Sequence, residues 1–304
     1  FLKFDFMDKT IDTFQIAIVH TLFSVIYTLM LLPFGKQLER LAVLSIPDSK
    51  DDPQPVMLDE RLLATPAIAV EQTRVLAADM AKLVRKSVQA AIALLGNYSE
   101  KGYNEVAKLE KEADNYEDEI GTYLVKVSMQ ELSDADSRDV TKILHSITDF
   151  ERISDHALNI AQSAREMAEK KLSFSPAAQA ELKVMTGAID EIVGIAIGGF
   201  VSDSADAARR VEPLEEVVDE LNTNIRAAHI KRLKDGECTI ELGFILSDLL
   251  TNYERVSDHC SNIAVAMIEV AHSSFDTHEY LNTLKNMDNP QFQQRYEEYK
   301  TMYA

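Results

Sequence analysis

The sequence is poor in the residues that break helices and in those that build disulfide frameworks. Its 304 residues include no tryptophan, 10 glycines, 8 prolines and 2 cysteines. The two cysteines, Cys238 and Cys260, fit a reducing compartment and offer neither a disulfide framework nor the spacing of a zinc site. Because glycine and proline are scarce while alanine, leucine and charged helix formers are common, the composition predicts an all-α protein.

Positive charge is also in short supply. Lysine and arginine together number 31 against 50 aspartates and glutamates, which gives a formal net charge of −19. Proteins bind nucleic-acid backbones through clustered lysine and arginine, so this balance argues against a nucleic-acid partner. The acidic excess favours a protein that attracts cations.

Motifs of common catalytic sites are missing from the sequence. It contains no glycine-rich phosphate loop and no Gly-x-Ser-x-Gly nucleophile motif. Cys260 lies beside His259, but the sequence indicates no third partner that would orient the histidine as a base. We therefore predict that the protein is not an enzyme and has no catalytic residues.

One stretch occurs twice, about a hundred residues apart, which indicates an internal duplication. The first copy, ERISDHALNIA, begins at Glu151, and the second, ERVSDHCSNIA, begins at Glu254. On a helix, residues four apart share a face, so Glu151, Asp155 and Asn159 align. The apolar residues of the stretch fall on another face, which predicts a core-facing helix with its acids outside the core.

The same Glu-xxx-Asp spacing occurs on two further predicted helices, in LEKEAD and LEEVVD. Carboxylates one turn apart can present oxygens to a hard cation, and two packed helices can supply a site with several carboxylates. Carboxylate oxygens favour Mg, Ca, Mn or iron, whereas zinc sites of the thiolate type use cysteine. Asn159 and Asn262 could orient the carboxylates or add an oxygen ligand. The candidate metal ligands are Glu110, Asp114, Glu151, Asp155, Glu215, Asp219, Glu254 and Asp258.

Other interpretations of the acidic pairs stay open. Helix-surface acids are commonly only solvated, and Arg152 and Arg255 could neutralise them in a lattice of ion pairs. A ferritin-like di-iron site is disfavoured, because it uses Glu-x-x-His, whereas His156 and His259 follow their glutamates by five positions. We predict that these histidines are packing or hydrogen-bonding groups.

A long apolar segment stands near the beginning of the sequence. Residues 14–34 contain no charged side chain, and about 20 apolar residues suffice to span a bilayer. They predict a transmembrane helix; a buried helix of a soluble protein is the alternative, since the segment contains Gln, His, Ser and Thr. The stretch from Ser45 to Pro55 is rich in proline and charge, as is typical of an exposed linker.

The remaining sequence predicts three helices in each of two repeats. Ser133 and Ser175 are candidate N-caps, with Pro176 in the first turn. The predicted helices cover 73–98, 103–130, 133–171, 176–200, 203–234 and 240–273. The predicted organisation is a terminal membrane segment at 1–44, a linker at 45–72, repeats at 73–172 and 173–273, and a helical tail at 274–304.

With these motifs, residues 73–273 resemble the PhoU family. Its members are two tandem three-helix bundles with Glu/Asp-xxx-Asp motifs on the second and third helices. The resemblance implies that the domain regulates phosphate uptake and binds divalent or iron-type metal ions through the eight acids. Asn222 stands where the first repeat has Glu117, so we expect the second site to be poorer in charge.

The front of the chain is similar to the last membrane helix of bacterial sodium/phosphate cotransporters of the Na/Pi type. The similarity lies in Ile16–Ser24, in Leu32–Phe34 and in the connecting segment Leu58–Ala69. Several of those proteins carry a C-terminal PhoU-like domain. The resemblance implies the C-terminal part of such a transporter, in the cell membrane with the PhoU-like domain in the cytoplasm.

The resemblance also bears on partners. The Gln-Ser-Ser-type repeats that bind substrate in the cotransporters are not found here, so we expect the sites for phosphate and sodium upstream of Phe1. A regulatory protein and a second copy of the chain are further candidate partners. Two rival hypotheses stay open: a soluble metal-binding adaptor of phosphate signalling, and a helical scaffold whose acidic faces are only solvated.

Overall fold

The computed structural model describes residues 13–31, 34, 58–272 and 290–304. The chain divides into two compact units, Phe1–Gln54 and Pro55–Ala304. In the first unit, helix α1 spans Thr13–Leu31. Its large apolar side chains are exposed, among them Phe23 at 65% and Leu29 at 66%. The predicted apolar segment is thus helical over most of its length.

The second unit is built from the six long helices that the sequence predicts. A 3₁₀ turn at Glu60–Ala64 leads into the first repeat, whose helices are α2 (Pro66–Gly96), α3 (Glu100–Ser128) and α4 (Asp134–Lys170). The second repeat contains α5 (Pro176–Ser202), a short α6 (Ala205–Ala208), α7 (Val211–Lys234) and α8 (Ile240–His272). Helix α9 (Pro290–Met302) follows. The prediction of an all-α fold with a duplicated three-helix bundle is confirmed.

Local signals fix several helix ends. The hydroxyl of Ser133 accepts a hydrogen bond from the backbone N–H of Asp136 at 3.1 Å, and Ser175 caps α5 in the same way with Pro176 in the first turn. Helices α4 and α5 end where Lys171 and Asp203 adopt left-handed backbone, with φ of 55° and 51°. The predicted caps are therefore the observed ones.

Two predicted boundaries differ from the structure. Helix α2 begins at Pro66, so residues 66–72, assigned to the linker, belong to the bundle. The predicted helix over 203–234 is broken between Ala208 and Val211. Pro213 lies in the first turn of α7, and because proline has no N–H to donate and is best accommodated in a first turn, the helix restarts there. Of the rest of the predicted linker, residues 58–65 include the 3₁₀ turn at Glu60–Ala64, and residues 45–57 lie outside the described residues.

The two repeats share one core. Helices α4 and α8 pack against each other across the repeats, and α2 also contacts α5. At this junction the buried ring of Phe150 meets Phe200 edge to face, with centroids 4.9 Å apart. Such aromatic pairs add specific geometry to apolar burial. The third helices of both repeats, which carry the duplicated motif, therefore meet at the junction of the two repeats.

Helix α5 is the one described helix that is long and apolar enough to cross a membrane. Half of its most apolar window is buried inside the bundle, which is typical of a core helix. The apolar helix near the start of the chain, Ile16–Leu31 within α1, is shorter. The membrane assignment of the front segment stays a prediction.

The tail helix α9 packs on the second repeat. Tyr299 is buried, and the Tyr303 hydroxyl donates a hydrogen bond to Glu191 on α5 at 2.6 Å. The Lys300 ammonium lies 2.9 Å from the Glu220 carboxylate on α7. The helix starts at Pro290, within the predicted helical tail. Residues 273–289 lie outside the described part of the chain.

Candidate cation site in the first repeat

The first repeat brings its predicted acids together. Helix α3 contributes Glu110 and Asp114, and helix α4 contributes Asp155. Ligand oxygens of these three side chains all lie within 4.8 Å of one another. All three are partly buried, as is Glu151, one turn before Asp155. The spacing of one helical turn on each helix and the packing of α3 on α4 thus create the cluster that the sequence predicts.

The donor set fits a hard cation. Such cations take carboxylate oxygens at about 2.0–2.6 Å, so oxygens up to about 5 Å apart can share one ion. Glu110 and Asp114 form no salt bridge and no side-chain hydrogen bond within the described residues. The three carboxylates could therefore hold a divalent or iron-type ion, with water completing its coordination.

The electrostatics of the cluster point the same way. Burial raises the pKa of Glu110, and the nearby charges of Asp114 and Asp155 raise it further. Burial and Asp155 likewise raise the pKa of Asp114. The pKa of Glu151 rises to about 7, through burial first and Asp155 second, against the opposing effect of Arg152. These carboxylates lack sufficient positive charge around them, which a bound cation would supply.

The sequence left open that Arg152 neutralises the acids, and the structure shows this only in part. Its guanidinium lies 3.4 Å from Glu151 and 3.8 Å from Asp155. The arginine side chain is 56% exposed, and exposed ion pairs of this kind contribute little to stability. Arg152 therefore does not replace a cation at the centre of the cluster.

The acids of the second repeat are arranged differently. Glu215 is buried and Asp219 is exposed, while Asp258 lies 3.3 Å from Arg255. The amide of Asn222 donates a hydrogen bond to Glu254 at 2.9 Å. The part of the chain that the structure describes contains no second group of three close acids. The four predicted ligands of this repeat are thus not gathered into one cluster.

Arg226 is a site residue that the sequence analysis missed. Its Nε donates to Asn222 at 2.6 Å, and its two terminal nitrogens donate to Ser247 and Thr251, each at 3.1 Å. The guanidinium also lies 3.9 Å from Glu254. The signal was present in the paired motifs, since Ile225 is followed by Arg226 whereas its counterpart Ile120 is followed by glycine.

Asn159 and Asn262, which were predicted to orient the carboxylates or add an oxygen ligand, do not contact the acidic pairs. Asn159 is exposed. Asn262 donates a hydrogen bond at 3.1 Å to Asp149, which belongs to the other repeat. This contact corrects the prediction for Asn262: because α8 packs on α4, its side chain reaches across the repeat junction instead of turning toward the acids of its own helix.

The two histidines of the duplicated motif also reach across the junction. His156 Nδ1 lies 2.9 Å from the Asn252 side-chain oxygen, and His259 Nδ1 lies 2.8 Å from an Asp149 carboxylate oxygen. The prediction that they are packing and hydrogen-bonding groups is confirmed. Asp149 and Asn252 hold equivalent places before the two motif copies, so the contacts are related by the duplication.

Both three-helix bundles match a known protein family. The family model of the PhoU domain matches residues 77–164 and again residues 182–267, one match in each repeat. The chain belongs to the PhoU family. The duplication read from the paired motifs is therefore a pair of PhoU domains.

Curated relatives match this chain over different shares of its length. The PhoU homolog 1 of Thermotoga maritima, a phosphate-specific transport system accessory protein, is 31% identical over 49% of this chain and 59% of its own length. The PhoU homolog of Pseudomonas aeruginosa is 26% identical over 68% of this chain and 85% of its own length. YjbB of Escherichia coli, named as a candidate inorganic phosphate exporter, is 24% identical over 82% of this chain. This chain spans 47% of the length of YjbB.

Solved structures show the same fold. PhoU from Pseudomonas aeruginosa superposes with a TM-score of 0.62 at 23% identity, covering 70% of this chain and all of that one. PhoU from Streptococcus pneumoniae gives a TM-score of 0.62 at 18% identity, over 69% of this chain and 98% of that one. The second unit therefore has the PhoU helical bundle fold.

Proposed function

We propose that the chain is the PhoU regulatory part of a sodium-dependent phosphate transporter in the cell membrane, and that a cation in its first repeat modulates phosphate uptake. The PhoU domains would lie in the cytoplasm and act on the transport unit directly or through a regulatory protein. Phosphate and sodium would bind that unit, and not the helices described here. The observation that carries the proposal is the PhoU domain pair joined in one chain to an exposed apolar helix.

The membrane arm of the proposal is supported by α1 and by YjbB. Phe23 and Leu29 are typical of the exposed apolar residues between Ile16 and Met30 of α1, and such surface is unfavourable in water. The match to YjbB covers 82% of this chain, against 68% for the Pseudomonas aeruginosa PhoU homolog. The similarity to a protein named for phosphate export thus extends beyond that to the accessory protein.

The cation arm is supported by the cluster of Glu110, Asp114 and Asp155 and by the raised pKa of its neighbour Glu151. A regulatory site must bind its ligand reversibly, and a partly buried carboxylate cluster open to solvent can exchange a hard cation with the surroundings. The cluster lies on α3 and α4. Because α4 also packs on α8, a change at Asp155 can be transmitted to the second repeat.

A soluble PhoU adaptor is the second candidate. The Pseudomonas aeruginosa homolog, named as an accessory protein of phosphate-specific transport, matches this chain over 85% of its own length. In this hypothesis the PhoU domains act without a membrane helix of their own. It differs from the first proposal in what α1 does.

Vesicle flotation tests the membrane arm. The chain is mixed with phosphatidylglycerol and phosphatidylcholine vesicles and centrifuged through a density gradient. We expect the wild type to float, and the variant Phe23→Asp/Leu29→Asp to stay in the soluble fraction, because charges inside a spanning helix are strongly unfavourable. A wild-type chain that stays soluble without detergent would favour the adaptor.

Thermal melting tests the cation arm. The chelator-treated chain is melted with and without Mg²⁺, Mn²⁺, Fe²⁺ or Zn²⁺, since a ligand bound only by the native state raises the melting temperature. We expect at least one ion to stabilise the wild type and Asp258→Asn equally, and to leave Asp155→Asn unchanged. If no ion changes the melting temperature of any of the three proteins, the scaffold hypothesis is favoured.

A further inference from the structure

The two sides of the repeat junction differ at one corner of the core. On one side the ring of Phe150 meets that of Phe200 edge to face, with centroids 4.9 Å apart. The corresponding residues of the other side are Tyr253 and Leu95. Phe150 and Tyr253 each directly precede a copy of the duplicated motif, and Phe200 and Leu95 each lie four residues before the serine that caps the next helix. Because leucine is smaller than phenylalanine, the Leu95 corner is filled less completely.

A cavity of about 580 Å³ lies at the corner that contains Leu95. Its walls are formed by the end of α2, the end of α4 with the connection to α5, and the first turns of α5, so both PhoU domains contribute. Protein sites for small organic ligands are typically clefts of about 300–1,000 Å³ with mainly apolar walls. Leu95 is partly exposed here, whereas Phe200 on the other side is buried. The apolar side chains of the wall are Ile92, Leu95, Met167, Leu172, Phe174 and Leu182.

The charges at the rim of this cavity indicate which kind of ligand fits. The side chain of Lys183, which lines the cavity on α5, is exposed and forms no ion pair within the described residues. The acids that adjoin wall residues in sequence are already bonded, Glu166 to Lys170 and Glu181 to Arg232. An uncompensated positive charge beside apolar walls complements a molecule with one acidic group and one apolar part. We propose that the cavity binds a single-chain amphiphile with an acidic head group, its chain between the apolar walls and its head group at Lys183.

A buried hydroxyl is a second, independent observation that favours a ligand with an oxygen atom. By the duplication, Tyr253 stands to Leu95 as Phe150 stands to Phe200. Tyr253 is fully buried, and its hydroxyl has no hydrogen-bond partner within the part of the chain that the structure describes. Burial raises the pKa of this hydroxyl, so it remains a hydrogen-bond donor at neutral pH. Buried polar groups are normally hydrogen-bonded, and Phe150 shows that the fold needs no hydroxyl at this position. A head-group oxygen that reaches the Leu95 corner would supply the missing acceptor.

The amphiphile site is independent of the cation site and of the membrane helix. It joins α2 and α4 of the first PhoU domain to α5 of the second. A ligand in it would therefore stabilise the two domains against each other through contacts other than those of His156 and His259.

Titration calorimetry with dodecanoate, below its micellar concentration, tests the proposal on the full chain. Leu95→Phe introduces the residue that the other side of the junction has, and Lys183→Gln removes the charge. Lys111→Gln, which removes an exposed lysine of α3, is the matched control. Dodecyltrimethylammonium has the same chain length and the opposite charge, so it reports binding that needs only an apolar surface such as that of α1. The melting temperature of each protein is recorded with and without dodecanoate.

We expect one saturable dodecanoate site in the wild type and in Lys111→Gln, and none in Leu95→Phe. Lys183→Gln should bind dodecanoate at least about tenfold more weakly, because it loses a charge-assisted hydrogen bond. Dodecanoate should raise the melting temperature of the wild type and leave that of Leu95→Phe unchanged. The proposal is overturned if the wild type has no such site, if it binds both amphiphiles equally, or if Leu95→Phe binds dodecanoate as the wild type does. Should Leu95→Phe not fold, Lys183→Gln decides, and wild-type affinity in that variant overturns the proposal.

Discussion

The imidazole ring of His156 stacks on that of His259, with centroids 5.6 Å apart and an angle of 26° between the rings. Each histidine comes from one PhoU domain and hydrogen-bonds a side chain of the other. The duplicated motif thus does two things at once: its acids face outward on their helices, and its histidines join the domains. The junction and the candidate cation site are adjacent along α4, since His156 follows Asp155.

The two halves of the junction should differ in strength. Asp149 accepts hydrogen bonds from His259 at 2.8 Å and from Asn262 at 3.1 Å, whereas Asn252 has one such contact across the junction, with His156. Bonds to a charged acceptor contribute about 1.5–3 kcal/mol and neutral ones about 0.5–1.5 kcal/mol. We expect Asp149→Ala to lower the free energy of unfolding more than Asn252→Ala. Urea unfolding at pH 7 measures both, and equal losses would contradict the assignment.

The junction should also weaken in mild acid. Burial lowers the pKa of His156 from its usual 6.5, although the bond to Asn252 opposes that shift. The unfolded chain therefore binds more protons than the folded one near this pH, so stability is retained above about pH 6.5 and lost as the pH falls below it.

Replacing His156 by Gln keeps a hydrogen-bonding side chain and removes the titration. We expect the unfolding free energy of His156→Gln to change less between pH 7 and pH 5 than that of the wild type, measured by urea unfolding in the presence of a chelator. The same slope in both proteins would show that His156 does not carry this dependence.

Glu151 should destabilise the metal-free protein at alkaline pH. Its pKa is about 7 in the folded chain against 4.5 as the ordinary value. The folded state therefore binds more protons between these values, and stability falls as the pH rises from about 4.5 through 7. At pH 8 without metal we expect Glu151→Gln to be more stable than the wild type by about 1–3 kcal/mol.

The advantage of Glu151→Gln should vanish at pH 4, where the wild-type side chain is protonated in both states. Chelator-treated samples melted at both pH values provide the measurement. A variant that is less stable than the wild type at pH 8 would show that the carboxylate is already neutralised within the chain.

The two cysteines should react at different rates. Cys260 is fully buried on α8, and burial raises the pKa of its thiol. Cys238 is partly exposed at the turn between α7 and α8. Only the accessible thiol can reach a reagent, and only its thiolate reacts. We expect iodoacetamide to label Cys238 alone in the native protein and both after unfolding, as mass spectrometry would show; native labelling of Cys260 would contradict the packing of α8.

Helices and their N-caps could be predicted from the sequence where a short stretch of neighbouring residues determines them. The serine caps at Ser133 and Ser175 and the six long helices follow from neighbouring residues. The start of α2 at Pro66 was missed although Thr65 and Pro66 are residue types that favour the first turn of a helix. The break before α7 was missed although Pro213 signals it, because proline is unfavourable inside a helix and favours its first turn.

The candidate site was only half predictable for a similar reason. The spacing predicted four acidic pairs, with the second repeat poorer in charge because Asn222 stands in place of Glu117. The pairing of α3 with α4 gathers three acids of the first repeat. The second repeat diverges through Asn222 and Arg226, whose effect depends on reaching Glu254, Ser247 and Thr251 on a neighbouring helix. A repeat alignment shows that these residues differ; only the packed bundle shows what they contact.

The central claim is that the acids of the first repeat hold one cation. Crystals of the chain grown with Mn²⁺ and measured near the manganese absorption edge would locate it directly. The account predicts one anomalous peak per chain, among Glu110, Asp114 and Asp155, and none beside Glu254. A map without a peak at the first-repeat cluster, or with an equal peak in the second repeat, would contradict it.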